Sequence, residues 1–218
     1  PGYNLQEARA IQTHAKARGR RALVALNRRF IAATSATRAD LEGISDARFI
    51  KVQDQESLQQ AADAGEPVEV LRNYMFANAI HTIDYLRVFG RGRVTGVTPV
   101  VAWDDSTPGV VVARVDFESG DIGLYEGIWH GPGPWAVSVT VRGRRWEMRP
   151  LEELHRQTLG ARPERADAHP WDQAFKPGFR AQAEHAVAAA LGRPSESVTL
   201  DDAICTMELI ASIFQVGG

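Results

Sequence analysis

Hydrophobic residues in this chain follow two periods, and the change from one to the other divides it. Leu5, Ala8, Ile11 and Ala15 recur at the spacing of one helix face, behind Asn4 and Glu7 placed as a capping box and ahead of Gly19. Ala22-Leu-Val-Ala-Leu26 is then an unbroken apolar run, the pattern of a strand buried on both faces of a parallel sheet. A helix followed by a buried strand is half of a βαβ unit, and the strand expected before it is missing.

Further helical stretches are predicted from Ile31 to Ile44 and from Val68 to Phe89, the latter closed by Gly90, with a possible strand from Arg48 to Gln53 between them. Beyond Gly90 the period becomes two. Val94–Trp103, Val110–Phe117, Ile122–Trp129, Trp135–Val141 and Arg144–Arg149 are five strand candidates, with Ser119-Gly120-Asp121 and Arg142-Gly143 as hairpin turns. Such short connections require antiparallel neighbours, because a parallel pair needs a long crossover. Trp135, Val137, Val139 and Val141 alternate with smaller or polar residues, so one face of the sheet is covered. Helices are predicted over Phe179–Leu191 and after a Thr199/Asp202 cap, and Leu159–Trp171 reads as loop. The fold class expected is α+β, a large and mostly antiparallel sheet covered by helices.

Composition adds exclusions. The 218 residues are 44% hydrophobic, enough to bury a large core. With 25 basic against 27 acidic side chains, nothing supports nucleic-acid binding by counterion release. The basic run Lys16, Arg18, Arg20, Arg21 falls where a helix ends and suits its dipole. No apolar run reaches the roughly 20 residues of a membrane helix, and no signal peptide opens the chain, so no membrane partner is expected and cytoplasm is the default compartment. Cys205 has no partner for a disulfide or a zinc site, and among Ile204 and Met207 it reads as a small core residue.

Phosphate-loop, zinc-helix and nucleophile-elbow motifs are absent. Gly90-Arg-Gly92-Arg-Val-Thr-Gly96 is one residue too long for a dinucleotide loop and lies between helix and strand rather than strand and helix. Asn78, His81 and Asp84 fall three apart and share part of one helix face. They could aim polar chemistry into a cleft, although spacing alone favours a plain helix-end polar pair. His130, in Trp129-His-Gly-Pro-Gly-Pro-Trp135, is either a pocket residue or an exposed turn. His14, His155, His169 and His185 fall in solvated helices or loops.

Four separated stretches together resemble the Gfo/Idh/MocA oxidoreductase family: Asn27-Arg-Arg-Phe30, Asn78-Ala-Ile-His-Thr-Ile-Asp84-Tyr-Leu-Arg87, Phe175-Lys-Pro-Gly-Phe179-Arg-Ala-Gln182 and Leu200-Asp-Asp-Ala203. They occur in the family's order across essentially the whole chain. The resemblance implies a glyceraldehyde-3-phosphate-dehydrogenase-like C-terminal domain. Residues 1–30 would be a remnant of the Rossmann domain, its last helix and strand, and residues 31–218 a substrate-binding and oligomerisation domain. It implies hydride transfer between NAD or NADP and a sugar, cyclitol or related hydroxy compound, with the hydride chemistry supplied by the cofactor. His81 matches the family histidine that relays a proton beside a catalytic lysine, which would immediately precede Pro1. Asn78 becomes a substrate orienter, with Arg28, Arg29, Trp129 and His130 as weaker candidates for lining the pocket. Where the family usually carries Asp, one turn before the histidine, this chain has Ala77.

Three readings of function follow: a truncated NAD(P)-dependent oxidoreductase; a non-catalytic binding or oligomerisation module of the same fold; or half of a split enzyme. A small-molecule substrate and a homo-oligomer through the sheet are the expected partners. No dinucleotide binding is expected of this chain alone, since it lacks the phosphate loop and the ribose-binding acidic residue.

Overall fold

The computed structural model describes residues 1–216. Helix α1 (Leu5–Ala17) is capped as its sequence predicts: the side chain of Asn4 accepts from the Glu7 amide at 3.0 Å. A 3-10 turn (Asn27–Phe30) leads into α2 (Ala32–Asp40), followed by β1 (Phe49–Glu56), α3 (Leu58–Asp63) and α4 (Val68–Arg72). A π-helical turn (Met75–Ala79) opens α5 (Ile80–Phe89), which stops at Gly90. The strands β2 (Val94–Val101), β3 (Val110–Phe117), β4 (Ile122–Trp129), β5 (Ala136–Val141), β6 (Arg144–Met148), β7 (Leu154–Thr158) and β8 (Glu164–Arg165) come next, then α6 (Pro170–Ala174), α7 (Phe179–Ala190) and α8 (Leu200–Phe214).

All eight strands form one sheet in the order β2-β3-β4-β1-β5-β6-β7-β8. Every neighbouring pair is antiparallel except β1 and β4, which run parallel with Phe49 opposite Ile122 and Glu56 opposite Trp129. The expected α+β architecture is therefore present, with β1 inserted between two hairpin-built halves. The hairpin turns lie where glycine permits them, at Gly120 (φ 85°) and Gly143 (φ 75°).

One face of the sheet carries Ile50, Val52, Val111, Ala113, Val115, Tyr125, Val137, Val139 and Met148, all fully buried. Against it pack α5 and α8, through Ile83, Leu86, Met207, Ile210 and Ile213. Gly123 is required here, because a Cβ would strike the Leu86 side chain at 2.8 Å. The opposite face is uncovered: Phe49 and Val110 are 44% and 47% exposed.

Several sequence expectations need correction. Ala22–Leu26 is not a sheet strand. It runs extended beside residues 198–200, with Val24 N–H donating to Val198 at 2.9 Å and Leu200 N–H to Ala22 at 3.0 Å, and Leu23 stays 40% exposed. No second strand flanks it among the described residues, so the apolar run has no parallel sheet to enter. The Val68–Phe89 stretch is not one helix but α4, a π turn and α5. The second helix ends at Asp40 rather than Ile44, β1 extends three residues beyond Gln53, and β7 and β8 were not anticipated. Cys205 is exposed on the outer side of α8 rather than in the core.

Candidate substrate site

Four segments remote in sequence are tied together by polar contacts. Arg29 donates to Asp84 on α5 with both Nε and Nη2, the latter at 2.7 Å, and its Nη1 reaches Asp202 on α8 at 2.6 Å. Arg87 bonds the other Asp202 oxygen at 2.8 Å, and Thr206 donates to Asp84 at 2.7 Å. On the far side of the 3-10 turn, Asn27 Nδ2 donates to the Pro177 carbonyl at 3.2 Å. Gly178 adopts φ 78°, and a Cβ there would overlap the Asn27 carbonyl, so the Lys176-Pro-Gly178 bend can seat on the turn only as glycine. Asp172 fixes both sides, accepting from Ala32 N–H at 2.7 Å and Gly178 N–H at 2.8 Å. These are the same four stretches singled out in the sequence.

The frame fixes the start of α5 against the C-terminal end of β1. Asn78, in the π turn, donates from Nδ2 to Oε2 of Glu56 at 2.7 Å. π turns are rare and frequently occur at functional sites; this one starts α5 with Asn78 turned toward β1. His81 sits on the next turn, partly buried, with Nδ1 inaccessible and unpartnered. Burial, reinforced by the Arg28 charge, pushes its imidazole down from 6.5 to about 4 against the pull of Asp84, so His81 is neutral at neutral pH. Lys176 acts on it in the same direction as Arg28. The Arg28 guanidinium lies 5.1 Å over the Trp135 ring, whose Nε1 donates to the Gln55 carbonyl at 2.7 Å.

Two carboxylates on β1 were missed by the sequence reading. Asp54 and Glu56 occupy successive inward positions of the strand and are 1% and 3% exposed. Tyr125 donates to Asp54 Oδ2 at 2.9 Å, while Oδ1 has no partner. Neither acid has an ion-pair partner among the described residues. Burial raises both: Glu56 is pushed from 4.5 up to about 8, with the neighbouring Asp54 adding to the effect and Asn78 and Arg28 opposing it. Two desolvated neighbouring carboxyls disfavour each other's ionisation.

Of the other candidates, Trp129 is 3% exposed and packs with Trp103 (ring centroids 4.7 Å apart) and Phe214 (5.7 Å). His130 is exposed at φ 66°, and its backbone N–H donates to the Glu56 carbonyl at 3.0 Å. Trp129 and His130, with Tyr74, Met75 and Trp103, border a cavity of about 680 Å³, so one of its walls rests on the residues that hold Glu56. Arg29 does not join this group. Its guanidinium is committed to Asp84 and Asp202, and it acts as a structural clamp. The structure thus brings together Arg28, Asn78 and His81 at one corner, with Trp129 and His130 on its flank.

No residues here form a dinucleotide cradle: Gly90–Gly96 links α5 to β2, and no strand-to-helix phosphate loop is present among the described residues.

The fold is that of an α+β domain built on one eight-stranded, mostly antiparallel sheet. Its solved neighbours are Gfo/Idh/MocA-type dehydrogenases and oxidoreductases, into which it fits as a C-terminal-type fragment. UDP-N-acetylglucosamine 3-dehydrogenase from Acidithiobacillus ferrooxidans matches with a TM-score of 0.75 at 16% identity, over 98% of this chain and 67% of that one. The WlbA dehydrogenase of Bordetella pertussis, solved with NADH and UDP-GlcNAcA, matches at 0.71 and 15% identity, covering 98% and 67%. An aldose-aldose oxidoreductase from Caulobacter crescentus, solved with glycerol, matches at 0.67 and 17% identity, also covering 98% and 67%. No family model matches the chain, and no curated protein matches it in sequence. At these identities the likeness establishes the fold, over about two thirds of the neighbours' length.

Proposed function

We propose that this chain is the substrate domain of an NAD(P)-dependent oxidoreductase that acts on a hydroxyl of a sugar, cyclitol or related compound, with Arg28, Asn78 and His81 at the substrate. The carrying observation is that His81, partly buried and neutral, lies one turn from Asn78 in a corner assembled by the four stretches that resemble the family. A neutral imidazole can accept the proton of a substrate hydroxyl, and burial makes the resulting imidazolium short-lived, so the proton is passed on rather than stored. Asn78 cannot titrate, and orients a hydroxyl instead. The resemblance puts a lysine just before Pro1. Residues outside this chain would hold the dinucleotide.

The uncovered outer face, with Phe49 and Val110 exposed around the Lys51–Glu126 ion pair at 2.9 Å, supports self-association through the sheet. A rival reading, a non-catalytic module of the same fold, draws on Ala77 standing where the family has Asp. No helix among the described residues is long and apolar enough to cross a membrane.

Titrating the isotope-labelled chain with UDP-N-acetylglucosamine and with myo-inositol tests the site. Shifts centred on Asn78 and His81 are expected with one of them, and perturbation elsewhere or none at all would contradict the reading. NADH and NADPH should not bind the chain alone, and micromolar binding of either in calorimetry would overturn that part.

A further inference from the structure

The substrate-site reading leaves Asp54 and Glu56 without a role, yet nothing in the packing of the sheet requires two unpaired acids. Their inward neighbours on β1, Ile50 and Val52, are ordinary core residues. An acid buried without a cation is costly and is retained where it does chemistry more often than where it supports a fold. Glu56 is also the group that orients Asn78. Glu56 Oε2 accepts from Asn78 Nδ2 at 2.7 Å, so the Asn78 amide presents its NH2 to Glu56, and Oδ1, which has no protein partner, faces away.

We propose that Glu56 is a further positioning residue of this site: it fixes the Asn78 amide so that Oδ1 is the acceptor offered to a substrate hydroxyl, and its carboxyl supplies the titratable group that Ala77 cannot. This rests on the reading of the α5–β1 corner as the substrate site. Asp54, which accepts from Tyr125, lies two residues before Glu56 on β1 and disfavours its ionisation. Ionisation of Glu56 turns it from a neutral acid into an anion one hydrogen bond from the substrate orienter, so binding of a polyol is sensitive to pH. The groups facing the pair are Tyr125 from β4, Arg28 from the 3-10 turn, Tyr74 just before the π turn, Asn78 within it and Thr82 from α5. Only Arg28 among them is cationic, and its guanidinium stacks on Trp135 rather than bonding to either acid.

The test follows the side-chain carboxyls of Glu and the side-chain amide of Asn78 by NMR across pH 4–9 (a range of about five units) in the 218-residue chain. Glu56 is identified by the signal lost in Glu56→Gln. It should titrate near 8, and the Asn78 amide should move with the same midpoint in the wild type but not in Glu56→Gln, which keeps an acceptor and loses the proton. Asp54→Asn should lower the Glu56 midpoint and Asn78→Ala should raise it. A Glu56 that titrates in the ordinary carboxylate range, or an Asn78 amide indifferent to it, would overturn the inference. The substrate-site reading is judged separately by adding UDP-N-acetylglucosamine. If the amide follows Glu56 but no sugar perturbs it, the positioning stands and the substrate class falls.

Discussion

Two acidic clusters lie within a helix turn or two of each other in this domain, and they are built in opposite ways. Asp84 and Asp202 are surrounded by Arg29, Arg87 and Thr206, so every carboxylate oxygen has a donor. Asp54 and Glu56 are buried as deeply as Asp84, yet their side chains receive only a phenol and an amide, and Asp54 Oδ1 is buried without a partner. The first arrangement holds charge and spends it on joining α5, α8 and the 3-10 turn. The second suppresses charge, and it lies where the sheet opens beside His81. A buried acid with matched cations is a structural joint, whereas one left unmatched keeps its proton exchangeable near neutral pH.

The largest expected effect breaks the first cluster. Arg29→Ala leaves Asp84, whose side chain is 3% exposed, as an uncompensated buried charge and should cost about 3–5 kcal/mol in urea denaturation. A loss under 1 kcal/mol (roughly that of a surface pair) would mean that the joint is not one. Arg28→Ala, which removes no ion pair, should cost far less while weakening ligand binding.

A smaller effect belongs to the second cluster and has a definite sign. Glu56 is raised from 4.5 to about 8 on folding, so its stabilising contribution is complete below 4.5 and is lost as pH rises through 8. His81 is lowered from 6.5 to about 4, so its contribution is complete above 6.5 and is lost as pH falls through 4. Between 4.5 and 6.5 the two oppose each other; between 6.5 and 8 His81 no longer opposes Glu56, whose ionisation should cost the chain about 2 kcal/mol. Glu56→Gln should flatten that window in chemical denaturation measured at several pH values. An unchanged slope would show that Glu56 is already ionised.

The two sheet faces give the smallest expected effect. Phe49→Lys or Val110→Lys on the uncovered face should weaken self-association in analytical ultracentrifugation without lowering the unfolding midpoint. Unaltered association would move the interface elsewhere.

Much of this contrast follows from how polarity is written along the chain. The hairpin strands were legible because Val137 and Val139, or Val111, Ala113 and Val115, alternate cleanly and turn at glycine. β1 was only half legible: Ile50 and Val52 start an alternation that Asp54 and Glu56 continue in position but not in polarity, so the strand seemed to end at Gln53. The signal that could have found the site was that continuation, two acids in register with an apolar face. Leu154-His-Arg-Gln-Thr158 gave no alternation because β7, near the sheet edge, buries only its first residue. The parallel pairing of β1 with β4 was invisible, since register between strands so distant in sequence depends on tertiary packing. Asn78, His81 and Asp84 were correctly seen to share a helix, but spacing could not reveal that Asp84 turns to Arg29 while Asn78 turns to β1. The π turn that separates them has no hydrophobic signature.

The most direct test of the substrate corner is the charge state of His81, read from its ring nitrogens in histidine-labelled chain with and without UDP-N-acetylglucosamine. The account predicts a neutral imidazole down to about pH 4 and a change in its ring-nitrogen shifts when the sugar is added. A His81 that titrates near 6.5, its ordinary value, and ignores every sugar and polyol offered would make it a plain helix residue and contradict the account.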